Sequence, residues 1–387
     1  MNYQLVADSW DQNEISAIKK VIKTGKFTMG PNVSKFEKLF AKKFNRKYAL
    51  MVNSGSSANL ISIASLFYKK IKPLKENDEV IVPALAWSTT YFPLHQYKLK
   101  IRLCDIDKDT LNYNYEDLIS KINNKTKLIV GVSILGNPAK LDTLKKLCTR
   151  KNIYLFEDNC ESQGAKIGKH YTGTFGELST SSFFFSHHIS TIEGGMITTN
   201  NRELFDICKS LRAHGWTRDI RGSKIFKKKT NEFYENYRFI LPGYNVRPQE
   251  INGAIGVEQL KKFDRMINNR RKNAKFFIKL FENDDRFVIQ KENGKSSWFA
   301  FTLLINKNKI NKNKLFKVLK KNKIDFRMIT GGNIASHDVI NYLKINKKDL
   351  KLPNTNFIHK NGFFIGNYPF DIKDKLLYLK KILDKNF

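Results

Sequence analysis

Three stretches of this 387-residue chain combine residue types that do chemistry together. Asn53-Ser54-Gly55-Ser56-Ser57-Ala58-Asn59 follows an apolar run and opens a helical pattern, so a glycine and small hydroxyls sit at the positive end of a helix. That junction can cradle a phosphate, although a plain N-cap and turn has the same composition. Phe156-Glu157-Asp158-Asn159 closes a second apolar run, where a sheet edge presents ligand-binding groups. A carboxylate at Asp158 can cap a turn, or it can pair with a protonated heteroaromatic nitrogen and draw electrons into the ring, as a pyridoxal-type cofactor requires. The third stretch is Ser182-Phe183-Phe184-Phe185-Ser186-His187-His188-Ile189, followed by Glu193-Gly194-Gly195. Its imidazoles can move protons near neutral pH.

The elements that must position these residues are legible as alternating patterns. Apolar runs at Tyr48 to Val52, Glu79 to Leu85, Ile101 to Ile106, Lys127 to Leu135, Tyr154 to Asp158, Ser179 to Phe185 and Met196 to Thr199 predict strands. Between them, Val33, Phe36, Phe40 and Phe44, and then Leu60, Ile63, Ala64 and Phe67, recur at helical spacing and predict amphipathic helices. The alternation predicts an α/β domain with a mainly parallel mixed sheet over residues 1–253. A long helix is expected from Ile255 to Phe281. A strand at Ala300 to Ile305 and Lys-rich helices, as at Asn313 to Lys320, then predict a smaller α+β domain over residues 254–387. No internal repeat and no linker rich in Pro, Gly or Ser separates the two.

A phosphate loop, a strand-end Asp, a Ser-Phe strand and a Gly-Gly turn, in this order and at these separations, resemble the sugar aminotransferase and dehydratase family of pyridoxal-phosphate enzymes. The resemblance covers nearly the whole chain and implies the aspartate aminotransferase fold (fold type I). In that family the Ser-Phe strand runs on to a lysine that is joined covalently to the cofactor. Here that position is His187, and no lysine occurs between Lys169 and Lys209. An imidazole cannot make that link, but it can do the lysine's other task of proton transfer. Ser186-His187-His188-Ile189, Arg212-Ala213-His214-Gly215-Trp216-Thr217-Arg218, Leu241-Pro242-Gly243-Tyr244-Asn245-Val246-Arg247-Pro248 and Ser296-Ser297-Trp298-Phe299 resemble the lysine-less dehydratases of the family.

The resemblance implies pyridoxal 5′-phosphate and pyridoxamine 5′-phosphate as cofactor forms, and 3-deoxygenation of a nucleotide-linked 4-keto-6-deoxy sugar, hexose or heptose. GDP as the nucleotide, ammonia as a product and L-glutamate as the amino donor that regenerates the amine form are implied in the same way. His187 would serve as base and then acid, which suits a pKa near the ordinary 6.5. Ser56, Ser57 and Ser182 match phosphate contacts, Trp87 the aromatic that stacks on the pyridine ring, and Asp158 the partner of its nitrogen. Glu161 stands where many members carry Gln or His close to the ring. Asn245 and Arg247 match residues that the neighbouring subunit supplies, which implies a homodimer with shared sites. His214, Arg218, Arg327 and Asn333 are candidates for the diphosphate or the sugar. His188 should point away from His187 if the strand period persists, which gives it a structural role.

Composition narrows the alternatives. At roughly 150 residues per domain the length suggests two or three domains, and 41% hydrophobic residues, 29 Phe and only 9 Pro exclude a disordered or low-complexity chain. The net charge of +33 would suit a basic nucleic-acid-binding protein. However, its lysines are spread over every amphipathic segment, thickening at Lys307 to Lys323 and Lys344 to Lys351, with no basic arm and no nucleic-acid-binding motif. Cys104, Cys148, Cys160 and Cys208 lie far apart, which argues against the iron-sulfur cluster of dehydratases acting on CDP-sugars and against a metal site. A nucleotide-sugar aminotransferase of the same fold stays open as an alternative. No signal-like start and no run of about 18 apolar residues occurs, so a cytoplasmic protein without a membrane segment is expected.

Overall fold

The computed structural model describes residues 1–220, 223, 226 and 231–387. Among them a seven-stranded sheet is built from β1 (Tyr48–Val52), β2 (Glu79–Pro83), β3 (Lys100–Cys104), β4 (Thr126–Val132), β5 (Tyr154–Asp158), β8 (Leu178–Ser182) and β9 (Gly195–Thr199). A two-stranded ribbon, β6 (Lys166–Ile167) and β7 (His170–Tyr171), interrupts the series. The strand order is β1-β9-β8-β5-β4-β2-β3, with β9 antiparallel to both neighbours and the remaining pairs parallel. The expected α/β architecture with a mainly parallel mixed sheet is therefore present. Because β1, β2, β5 and β8 run the same way, their carboxyl ends lie along one edge, where open α/β sheets bind ligands.

Helices α1 (Gln12–Thr24), α2 (Pro31–Lys43), α3 (Gly55–Phe67), α4 (Ser88–Gln96), α5 (Tyr115–Lys121), α6 (Leu141–Lys151), α7 (Arg202–Arg212) and the short α8 (Glu232–Glu235) connect these strands and extend them at the amino end. α2 is amphipathic as its spacing predicts, burying Val33, Phe36 and Phe40. α3 is not. Nine of its residues are buried, Ser62 and Ser65 among them, because it is packed against β8, β9, α4 and α7 together. Its apolar pattern goes round the helix rather than along one stripe, as expected for an element with no solvent side.

The 32-residue α9 (Glu250–Phe281) leads to a second core. There β10 (Phe287–Ile289), β11 (Ala300–Ile305) and β12 (Gly362–Gly366) form an antiparallel sheet covered by α10 (Lys312–Lys321), α11 (Pro353–Asn361) and α12 (Lys373–Asn386). β11 is buried throughout, and Phe301 stacks on Phe277 of α9 with ring centroids 4.3 Å apart. Tyr3 from the amino end completes this core. The position between residues 253 and 254 lies inside the first turn of α9. No helix among the described residues is long and apolar enough to cross a membrane.

Four predicted strands end before their apolar runs do, at Pro83, Cys104, Val132 and Ser182, and the first and last of these truncations shape the ligand edge. β2 stops at Pro83: the Ala84 N–H still donates to Cys104 O of β3 at 2.8 Å, but Ala84 O accepts from the Ile334 N–H at 3.2 Å and Leu85 bridges Asn333. β8 stops at Ser182 because Phe183 enters a closed turn, donating to Gly194 O and accepting from Thr191 N–H. Of the three consecutive phenylalanines only Phe183 is buried, against Phe36 and Phe40 at 5.2 and 5.6 Å. Phe184 and Phe185 are exposed.

α9 is also tied to α2 by one buried carboxylate. Gly30 at the start of α2 has no side chain to cap it, and Glu250 replaces the cap: Oε1 accepts from the N–H groups of Gly30 and Val33 at 2.6 and 3.0 Å, and Oε2 from Asn32 N–H at 2.9 Å. An anion on three orphan donors of a helix start is a charge-assisted cap. Glu250→Ala should therefore cost about 3 kcal/mol, read as a lower denaturant midpoint. An unchanged midpoint would remove this cap from the account.

Candidate active site

At the end of β1 the chain turns through Asn53 and Ser54 into α3. Ser54 is the N-cap, its Oγ accepting from Ser57 N–H at 3.0 Å, while the other first-turn N–H groups have no partner inside the helix. Ser56 is exposed and Ser57 half-buried at this mouth. Gly55 is required by contact: a Cβ there would sit 2.6 Å from Cβ of Ser182. The glycine lets the start of α3 meet the end of β8, so Ser182 stands beside the first turn that carries Ser56 and Ser57.

Asp158, at the end of β5, is buried and held by three donors. Its Oδ2 accepts from Asn59 Nδ2 and Thr90 Oγ1, each at 2.8 Å, and its Oδ1 from Cys160 N–H at 3.2 Å. Asn59 cannot flip, since its Oδ1 accepts from the Thr180 hydroxyl at 2.6 Å. Trp87 precedes α4, one turn from Thr90, whose N–H donates to Trp87 O at 2.9 Å. Its indole is 58% exposed, a large ring left uncovered beside a buried carboxylate. Glu161 accepts from Leu135 N–H at 2.9 Å, and burial together with the charge of Asp158 pushes its pKa up to about 7. Near neutrality it therefore exchanges a proton rather than standing as a fixed anion.

His187 and His188 lie in the turn after β8, not on a continuing strand, so strand alternation does not separate them. Both rings meet the Phe299 ring edge-on, with centroids 5.2 and 5.4 Å away. The difference between them is in burial. His188 is enclosed, with Nε2 at 3.4 Å from Ser297 O and Nδ1 without a partner. His187 keeps part of its ring at the surface, with the Ser186 hydroxyl 3.5 Å from Nδ1. Protein atoms around it and the buried Arg270 guanidinium nonetheless disfavour the imidazolium, bringing its pKa down to about 4. This corrects the expectation of a value near 6.5. Burial and Arg270 also lower the pKa of His188.

The remaining candidates form two groups. His214, Arg218 and Arg247 surround one indole: the Trp216 ring has the His214 ring at 5.0 Å and the guanidinium carbons of Arg218 and Arg247 at 4.0 and 5.9 Å. Asn245 is exposed and accepts from Arg247 Nε at 3.0 Å, and the next residue, Val246, takes the Asn53 N–H at the mouth of the cradle. Arg327 bridges Phe364 of the second sheet, whereas Asn333 bridges Leu85 beside the core of the large sheet. Arg327 is exposed and its backbone pairs with Phe364. Asn333 is buried, its amide accepting from Ala335 N–H and donating to Asn356 Oδ1 at 2.7 Å, so it shapes its own turn.

Five residues of this site were not singled out from the sequence. Asn59, Thr90 and Thr180 orient Asp158, and Arg270 and Phe299 set the surroundings of the histidines. Asn59 and Phe299 stand inside the motifs above, yet only the fold shows where they point. Arg270, in the middle of α9, carried no local signal. Helix N-terminus and hydroxyls for an anion, a buried carboxylate for a cationic ring nitrogen, and an uncovered indole for an aromatic face are a donor set that fits pyridoxal phosphate.

Comparison with known proteins gives a consistent picture. The model of the DegT/DnrJ/EryC1/StrS aminotransferase family matches residues 8–375. GDP-4-keto-6-deoxy-D-mannose 3-dehydratase of Escherichia coli O55:H7 is 44% identical over 99% of this chain and 100% of its own length. The solved structure of an E. coli GDP-4-keto-6-deoxy-D-mannose-3-dehydratase with bound hydrated PLP superposes with a TM-score of 0.96 at 44% identity, covering 99% of both chains. A second structure, of a GDP-4-keto-6-deoxymannose-3-dehydratase with a trapped PLP-glutamate geminal diamine, has a TM-score of 0.95 at 44% identity and covers 99% of this chain and all of its own.

The electrostatics of the histidine turn give a direct test. In cofactor-free protein the His187 ring should titrate near 4 by nuclear magnetic resonance, and Arg270→Gln should raise that midpoint by removing the positive charge. The folded value lies below the ordinary one, so this group's contribution to stability is complete above about pH 6.5 and declines as pH falls through the folded value. An Arg270→Gln midpoint at or below that of the native chain would contradict this assignment.

Proposed function

Because the chain belongs to the DegT/DnrJ/EryC1/StrS aminotransferase family, we propose that it is a pyridoxal-phosphate-dependent lyase, a 3-dehydratase of GDP-linked 4-keto-6-deoxy sugar. The sequence similarity to GDP-4-keto-6-deoxy-D-mannose 3-dehydratases extends over the full chain. The one observation that carries the lysine-less assignment is His187, an imidazole in the turn after β8, with no lysine between Lys169 and Lys209. The products are the 4-keto-3,6-dideoxy sugar and ammonia, and L-glutamate restores the amine form of the cofactor. The reaction serves dideoxysugar biosynthesis, in the cytoplasm.

Ser56, Ser57, Ser182 and the start of α3 would hold the cofactor phosphate, Asp158 its ring nitrogen and Trp87 its face, with Glu161 beside the ring. When bound, pyridoxamine phosphate supplies an amine for the sugar 4-ketone and a ring that accepts electrons. Asp158, fixed by Asn59, Thr90 and the Cys160 N–H, would keep the ring nitrogen protonated and so support that electron demand. His187, whose imidazolium is disfavoured by burial and Arg270, would act first as the base toward the methylene carbon of the bound amine form. Once protonated beside Arg270 it is a stronger acid than free imidazolium, which favours passing the proton to the departing C3 hydroxyl.

His214, Arg218 and Arg247 around Trp216, with Arg327 and Asn333, are the candidates for the diphosphate and sugar, although the Asn333 amide is already engaged. Asn245 and Arg247 reach the site of a second copy, in a homodimer with shared sites. Residues 1–253 are the cofactor-binding unit and residues 254–387 the smaller one.

Pyridoxal phosphate with L-glutamate should convert the aldehyde absorbance to that of the amine, and GDP-4-keto-6-deoxy-D-mannose should then release ammonia. No ammonia from this or a related nucleotide 4-keto sugar would count against dehydration. His187→Asn should lower ammonia release by about 10²–10⁴-fold while cofactor affinity stays within a few-fold. Near-native turnover in that variant would remove His187 from the proton transfers.

A further inference from the structure

The indole of Trp87 lies along a strained turn between Ile329 and Ile334, both of which pack in the core of the large sheet. Thr330 has φ 44° and ψ 31°, left-handed backbone that a β-branched residue rarely adopts, and Gly331 and Gly332 follow with φ of 81° and 80°. The Thr330 hydroxyl is buried without a partner. A Cβ on Gly331 would lie 3.9 Å from Cε3 and Cζ3 of Trp87, so the turn runs along the indole. The Leu85–Asn333 bridge and the Ile334 N–H to Ala84 O bond join the turn to the segment that carries Trp87.

Two histidines keep this turn in place. The His337 Nε2–H donates to Gly331 O at 2.7 Å, and His359 Nδ1 accepts the Asn333 N–H at 3.1 Å. A Cβ on Gly332 would sit 2.3 Å from His359 Nδ1, so the ring is pressed against the backbone it holds. His359 lies on α11, whose start is anchored on the large sheet: Asp105, just after β3, accepts from the N–H groups of Asn354 and Thr355 and from the Thr355 hydroxyl.

We propose that His359 is a positioning residue for the cofactor ring: by accepting the Asn333 N–H it holds the Thr330–Gly332 turn behind Trp87 and so fixes the stacking face. This rests on reading Trp87 as the stacking residue. The bond needs a free Nδ1 lone pair, hence a neutral ring. Burial, His337 across a 6.1 Å centroid separation, Lys312 from α10 and the adjacent Lys360 all disfavour the imidazolium and lower its pKa. The brace is therefore complete above about pH 6.5 and is lost as pH falls through the folded value, when Nδ1 would carry a proton facing the Asn333 N–H.

The test measures the affinity of the cofactor-free protein for pyridoxamine phosphate by calorimetry between pH 5 and pH 8. It compares the native chain with His359→Asn, whose amide oxygen can occupy the Nδ1 position without titrating, and with His359→Leu, which has no acceptor. The cofactor's own phosphate titrates near pH 6, so the readout is the ratio of native to variant affinity at each pH. His359→Asn should match the native chain at pH 8 and bind progressively more tightly than it as pH falls through the folded value of His359. His359→Leu should bind about tenfold more weakly at pH 8. A His359→Asn ratio that does not change with pH, or native affinity in His359→Leu, would overturn the proposal. If His359→Leu does not fold, the Asn comparison decides alone. Trp87→Leu separates the two readings: native affinity there removes the stacking role of Trp87, whereas weak binding there with unaffected His359 variants removes the role of His359 only.

Discussion

The site depends on one buried carboxylate whose orientation leaves no choice. Asp158 ends β5 and takes hydrogen bonds from α3 through Asn59, from α4 through Thr90 and from its own turn through Cys160 N–H. Asn59 is in turn locked by Thr180 of β8. Four elements thus meet at a single anion, and an unpaired carboxylate at that depth would be costly. The same four elements carry the rest of the site: α3 brings the cradle, β8 ends at Ser182, and Trp87 stands at the start of α4. Positioning of the cradle, the ring partner and the stacking face is one problem with one solution.

A second constraint acts on the histidines. Arg270 is buried with its guanidinium donating to the carbonyls of Phe299 and Asn367, and no carboxylate neutralises it in these contacts. Its charge is felt by both imidazoles beside Phe299. A neutral His187 is thereby favoured before any substrate arrives. The feature that replaces a lysine is therefore more than one substitution; it includes a cation supplied from 83 positions further along the chain, between His187 and Arg270.

Much of this was legible in the sequence where chemistry and local geometry coincide. Ser54-Gly55-Ser56-Ser57 at a strand-to-helix junction, Asp158 at a strand end and His187 in the lysine position each carry a local signature, and the parallel strands follow from alternation. Contacts between distant segments were not legible. The period that shows a helix in α3 does not show that Ser62 and Ser65 are also enclosed. Apolar Ala84-Leu85 and Phe184-Phe185 prolong their runs, yet the first pair joins the Asn333 turn and the second faces solvent. The shift of His187 away from the ordinary imidazole range depends on Arg270, which no pattern near either residue reveals. His337 and His359 look like isolated surface histidines until the Thr330 turn brings them together.

The unbroken α9 has a consequence for how this chain holds together. Its first turn caps α2 through Glu250, and its middle and end supply Arg270, Asn273, Phe277 and Phe281 to the packing around the second sheet. A helix cannot be bent at midspan without breaking several of its own backbone bonds. Rigid-body hinging between the two cores is thus resisted along its whole length, and cleavage anywhere within it would leave each fragment lacking a wall. The two cores thus share one continuous girder, whose start and end are packed into different walls of the molecule.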